Sequence, residues 1–87
     1  MWVRSQDKRQ LLNVNDFRVQ GCYINSDEKM ANLGKYSTHE KALKVLDMIQ
    51  ERISENYSDR QVPYTEEKYR AYYVFQMPQD DEVEENE

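Results

Sequence analysis

The sequence predicts an α+β fold in which an antiparallel sheet of four or five strands carries one long helix across a face, in the order β-β-β-β-α-β. Three observations predict it. Apolar residues recur at every second position through the first third of the chain, switch to a 3.6-residue spacing over residues 38–55, and return to alternation in the aromatic run 69–77. With 87 residues, 38% of them hydrophobic and 33% charged, there is room for one domain with a small core, here placed at residues 1–78.

The first strand is expected at residues 1–5, where Trp2 and Val3 favour a pleated surface and Gln6-Asp7-Lys8-Arg9 supplies a polar turn. A second follows from about Gln10: Leu12 and Val14 alternate with Asn13 and Asn15, and Asn15-Asp16 invites a bulge or tight turn. Phe17 and Val19 resume the alternation against Arg18 and Gln20, and Gly21 permits a bend before Cys22-Tyr23-Ile24. Asn25 to Lys29 reads as a hairpin connection into Met30-Ala31-Asn32-Leu33, which completes a meander.

Helix signals follow. Ser37 with Glu40 three residues later has the pattern of a capping box, in which each side chain satisfies a backbone amide at the other's position. The segment from Thr38 to about Asn56 places Ala42, Leu46, Ile49 and Ile53 on one face, flanked by Leu43, Val45 and Met48. Pro63 forbids easy continuation, and residues 58–68 read as a loop. Tyr69 to Met77 then reads as a strand with bulky groups on both sides, which suits a central position, and Pro78 stops it. One helix covers one face of such a sheet. Trp2, Tyr23, Tyr36 and Tyr72 are left for the other, and an exposed aromatic face on so small a protein predicts a homo-oligomer or a ligand platform.

The net charge of −5 is unevenly spread. Six of the 17 acidic residues, Asp80, Asp81, Glu82, Glu84, Glu85 and Glu87, stand in the last eight positions, so residues 1–79 carry a net +1. Residues 79–87, with Val83 as their single apolar side chain, are expected to form a disordered acidic tail. It serves solubility, or mimics a nucleic-acid backbone toward a basic partner. The near-neutral body argues against binding long nucleic acid. No apolar run reaches the ~18 to 20 residues of a membrane span, and the N-terminus lacks the order of a signal peptide, so a cytoplasmic protein without membrane attachment is expected.

Catalytic constellations are lacking in the sequence. His39 is the single imidazole and is expected as an exposed residue of the first helical turn. Cys22 is the single cysteine and is expected as a core thiol. With two glycines, Gly21 and Gly34, there is no phosphate-cradling loop. No enzyme, metal site or cofactor is expected. Binding remains: Arg4, Arg18 and Arg70 lie in strand patterns beside Trp2, Phe17, Tyr69 and Tyr72, a combination that stacks bases and holds phosphates, and that also serves as a soluble rim around a tyrosine-rich core.

Three stretches together carry a resemblance: the opening Met1-Trp2-Val3-Arg4-Ser5-Gln6-Asp7-Lys8, the segment from Leu33-Gly34-Lys35-Tyr36 through Ile49, and the ending Val74-Phe75-Gln76-Met77-Pro78-Gln79-Asp80-Asp81. Across nearly its whole length the chain resembles a group of very small proteins encoded by phages and mobile elements of Gram-positive bacteria. The resemblance carries no catalytic motif. It implies an accessory factor in a bacterial host cell, of the kind that counters host defence by sequestering a signalling nucleotide or by binding a defence protein directly. The expected ligand-binding residues are Trp2, Arg4, Arg18, Arg70 and Tyr72, with arginines holding phosphate and aromatics stacking a base. The alternatives are direct inhibition of a host protein, with or without the acidic tail, and a structural accessory role without ligand.

Overall fold

A computed structural model of the chain describes residues 1–58 and 74–84. It shows an α+β fold with six strands: β1 (Trp2–Arg4), β2 (Leu11–Asn13), β3 (Arg18–Gln20), β4 (Tyr23–Ser26), β5 (Ala31–Lys35) and β6 (Val74–Gln76), with α1 (His39–Ser58) between β5 and β6. The expected single sheet of four or five strands is replaced by two sheets of three, ordered β2-β1-β6 and β3-β4-β5. The chain breaks at Asp16. Leu11–Asn13 pair back on β1, while Arg18–Gln20 pair forward on β4, so β2 and β3 never meet in a ladder.

Asp16 has its own task, because its carboxylate accepts the Ser26 hydroxyl at 2.8 Å and the Asp27 amide at 2.8 Å and so organises the β4–β5 turn. Antiparallel pairing also fails at one place: β6 runs parallel to β1. A helix of 20 residues carries the chain about 30 Å, and the strand that returns after it lines up with the first. Tyr69–Tyr73 of the expected last strand lie outside the described residues; the described part, β6, is an edge strand beside β1.

Each short turn is built by its own residues. Gly21 takes φ +63° at the first position of the two-residue β3–β4 connection, a conformation that costs glycine nothing and L-residues about 1 kcal/mol or more. The Tyr36 amide donates to the Cys22 carbonyl at 2.9 Å, and the His39 Nδ1–H donates to the Gly21 carbonyl at 2.7 Å, so this turn is fastened to the start of α1. Cys22 is half-buried in the turn rather than a core thiol of a strand.

The core gathers Val3, Val14, Ile24, Leu33, Tyr36, Ala42, Val45, Ile49, Phe75, Met77 and Val83. On α1 the buried line is Ala42, Val45 and Ile49, whereas Leu43, Met48 and Ile53 are exposed. The inward face is thus turned toward Val45 relative to the expected one. Tyr36, expected on an open face, is buried, and its hydroxyl donates to the Pro78 carbonyl at 2.9 Å. Burial pushes that hydroxyl's pKa up, as do the charges of Asp80 and Glu82.

Of the acidic segment 79–87 expected to be disordered, residues 85–87 lie outside the described residues, and residues 79–84 are held by specific contacts although Gln79, Asp81, Glu82 and Glu84 are exposed. Asp80–Glu82 form a short 3-10 turn and Val83 is buried. Asp80 accepts the Ser37 amide at 2.7 Å, and the Lys41 ammonium donates to the Asp80 carbonyl at 3.1 Å. Gln79 Nε2 donates to the Gln6 carbonyl at 2.7 Å. Polar partners on three elements, with one buried valine, provide the contacts that composition alone withheld. The same contacts change the helix cap: the Ser37 amide is taken by Asp80, and it is the Thr38 hydroxyl that accepts the Lys41 amide at 3.1 Å.

Candidate functional site

Strand β1 is the middle of its sheet, and its alternation sends Val3 into the core with Leu12 and Phe75 on either side. Trp2 and Arg4 therefore point to the opposite, outer face. Register places Asn13 and Val74 on either side of Trp2, and Leu11 and Gln76 on either side of Arg4. Two rows of three side chains result. Trp2 is 46% exposed and Leu11 55%, so two large apolar groups lie diagonally across this face in contact with solvent.

The turn at the end of this sheet fixes Arg4. Ser5 Oγ donates to Asp7 Oδ1 at 2.6 Å, the Arg9 amide donates to the same oxygen at 3.0 Å, and the Gln10 amide donates to Ser5 Oγ at 3.1 Å. The Asp7 carboxyl is held below its ordinary range, first by the Ser5 hydroxyl and then by the Arg9 amide. Lys8 adopts φ 67°, which turns its carbonyl to receive Arg4 Nε at 3.1 Å. A guanidinium bound through Nε has its position set and keeps its two terminal nitrogens as further donors.

Arg18 is elsewhere. It stands on β3 in the other sheet, and its Nη1 donates to Asp27 Oδ2 at 3.1 Å. The structure thus brings Trp2 and Arg4 together, places Arg18 in a separate, ion-paired setting, and leaves Arg70 and Tyr72 outside the described residues. Leu11, Asn13, Val74 and Gln76 complete the face and were missed by sequence reasoning. The available signal was Leu11: once Leu12 is assigned inward, its neighbour is an apolar residue on a polar side.

Other places offer little chemistry. A concavity along α1 is lined by Asp47, Gln50, Glu51, Ser54 and Glu55, whose carboxylates repel phosphate. Another, between the β1–β2 turn and β5, is lined by residues 5–7 and 32–35, with Lys35 opposite Asp7 in charge. Among the described residues no group of three or more His, Cys, Asp and Glu side chains could hold a metal ion, and no helix is long and apolar enough to cross a membrane. No family model, curated protein or solved structure matches the chain.

Proposed function

We propose that this chain is a non-enzymatic binding protein, an accessory factor of the phage and mobile-element kind, which captures a partner protein on the outer face of the β2-β1-β6 sheet. One observation carries the reading: the chain's single tryptophan stands 46% exposed on the middle strand of that face. Covering a tryptophan is among the most favourable events in protein association, and truncating such a residue commonly costs 2 kcal/mol or more. Leu11, Val74 and Arg4 around it supply the mixed apolar and arginine surface on which interfaces centre.

A protein partner fits better than a signalling nucleotide. Nucleotide capture calls for several guanidinium groups around one concave site. Arg4 and Arg18 lie in different sheets and share no site, Arg18 is paired with Asp27, and the face around Trp2 is a sheet surface. A second copy of the chain is the other use of the face, but it would bring two Arg4 side chains into one small interface to which neither face contributes a carboxylate.

The test is affinity capture from a Gram-positive host lysate, followed by calorimetry with the purified captured protein. Trp2→Ala is expected to weaken binding at least about tenfold, while Arg18→Ala leaves it unchanged. Undiminished binding by Trp2→Ala overturns the assignment of this face, and a nucleotide recovered from the denatured complex overturns the assignment to a protein partner.

A further inference from the structure

The face assigned above has a charge pattern that specifies its partner further. Arg4 is anchored through Nε to the Lys8 carbonyl, and its terminal nitrogens meet no acceptor among the described residues. None of the other five side chains on the face, Trp2, Leu11, Asn13, Val74 and Gln76, is acidic. At the adjoining turn Lys8 and Arg9 add two exposed cations that make no ion pair among the described residues; the turn's own carboxylate, Asp7, is exposed, attracts Arg9, and accepts the Ser5 hydroxyl and the Arg9 amide. The contrast with the other sheet is instructive. There Arg18 has its counter-ion within the chain, Asp27 at 3.1 Å. Arg4 has a support and, among the described residues, no counter-ion.

We infer that the partner presents an acidic, extended segment to this face, one carboxylate forking onto the terminal nitrogens of Arg4 while an apolar side chain two residues away lies against Trp2 and Leu11. The inference rests on the binding-face reading and adds the chemistry of the partner. The spacing agrees with it: Trp2 and Arg4 are two residues apart on one strand, about 7 Å, and side chains at alternate positions of any extended peptide repeat at that distance. Charge complementarity selects a protein segment over a polynucleotide. A phosphate backbone needs a track of cations along its length, whereas here three cluster at one end of an otherwise uncharged face on a chain of net charge −5.

The probe is a fluorescein-labelled peptide, Ser-Leu-Ser-Asp-Ser-Leu-Ser-Asp, read by anisotropy against the full chain, with a control peptide in which both Asp are Asn and a labelled octathymidylate. Saturable binding of the acidic peptide is expected, weakened about tenfold or more by Arg4→Gln, by Trp2→Ala and by the Asn control, and weakened by added salt. Arg4→Lys, which keeps the charge and loses the fork, should recover only part of the loss. Arg4 is exposed, so the variants should keep the parent circular dichroism spectrum. Absence of saturable binding, equal binding of the Asn control, or tighter binding of the oligonucleotide overturns the inference. Dependence on Trp2 without dependence on Arg4 overturns the acidic segment and leaves the face standing; binding indifferent to both variants overturns the face as well.

Discussion

Gly34 and Tyr36 form a contact whose energetics can be worked from the structure. A Cβ added at Gly34 would meet Tyr36 Oη at 3.1 Å, Cε2 at 3.2 Å and Cζ at 3.4 Å. The ring cannot give way easily, because it is 1% exposed and its hydroxyl is bound to the Pro78 carbonyl at 2.9 Å. Gly34→Ala is therefore expected to cost about 1 to 3 kcal/mol, the usual range for overpacking. Tyr36→Phe alone should cost about 1 kcal/mol, since the Pro78 carbonyl keeps Gln6 Nε2 as a donor at 3.3 Å.

In the double variant the nearest clashing atom is gone and the ring is released from Pro78. The combined cost should then fall short of the sum of the single costs by about 0.5 to 1.5 kcal/mol. Urea unfolding of the four proteins measures all the terms, and each kcal/mol should also appear as roughly 4 to 8 °C in melting temperature. Strict additivity, or a Gly34→Ala variant as stable as the parent, would refute the packing of Tyr36 over Gly34.

Four further predictions concern the turns and the acidic segment. Val83→Ala should cost about 1 to 2 kcal/mol in urea unfolding, because Val83 is 5% exposed; a disordered tail would give no change. Met30 holds φ 51° in the β4–β5 turn, so Met30→Val should cost about 1 kcal/mol or more while Met30→Gly stays within about 0.5 kcal/mol of the parent, as thermal melts would show. Arg18→Gln should change stability by less than about 1 kcal/mol, since both partners of its ion pair are more than half exposed.

The carboxyls of Asp7, Asp16 and Asp80 are each held below the ordinary 3.8, first by Ser5 Oγ, Ser26 Oγ and the Ser37 amide respectively. Folded values below unfolded ones mean stability that is whole above the ordinary value and is lost as pH falls through the folded values. Melting temperature should accordingly drop below about pH 4, and less steeply in Asp80→Asn. A melting temperature as high at pH 2.5 as at pH 6 would contradict these contacts.

How much was legible in the sequence depends on how local the determining interaction is. Helix α1 was legible because Ala42, Leu46, Ile49 and Ile53 repeat at helical spacing, although the face that packs is turned toward Val45, and the β4–β5 hairpin because Asn25 to Lys29 is a run of turn residues, of which Asn25 and Ser26 close β4. The helix cap was not, because Ser37 is diverted by Asp80, 43 positions away. The packed acidic segment was equally hidden: its composition is that of a solvated tail, and its order comes from Ser37, Lys41 and Gln6 acting on Asp80 and Gln79.

The division into two sheets turns on Asp16, which reads locally as a turn residue and whose bonds to Ser26 and Asp27 are visible only in three dimensions. The same holds for the candidate site. Trp2 and Arg4 share a face by simple alternation, which the sequence shows. That Arg18 is neutralised by Asp27, and that Leu11 joins the face, follows from pairing register.

The decisive experiment is amide and indole hydrogen exchange of the free chain and of its complex with the captured partner protein. Protection on binding is expected to concentrate at Trp2 to Arg4 and Leu11 to Asn13, including the Trp2 indole, and to leave the exposed side of α1 around Asp47 and Glu51 unchanged. Protection centred on α1, with Trp2 exchanging as freely as before, would contradict this binding face.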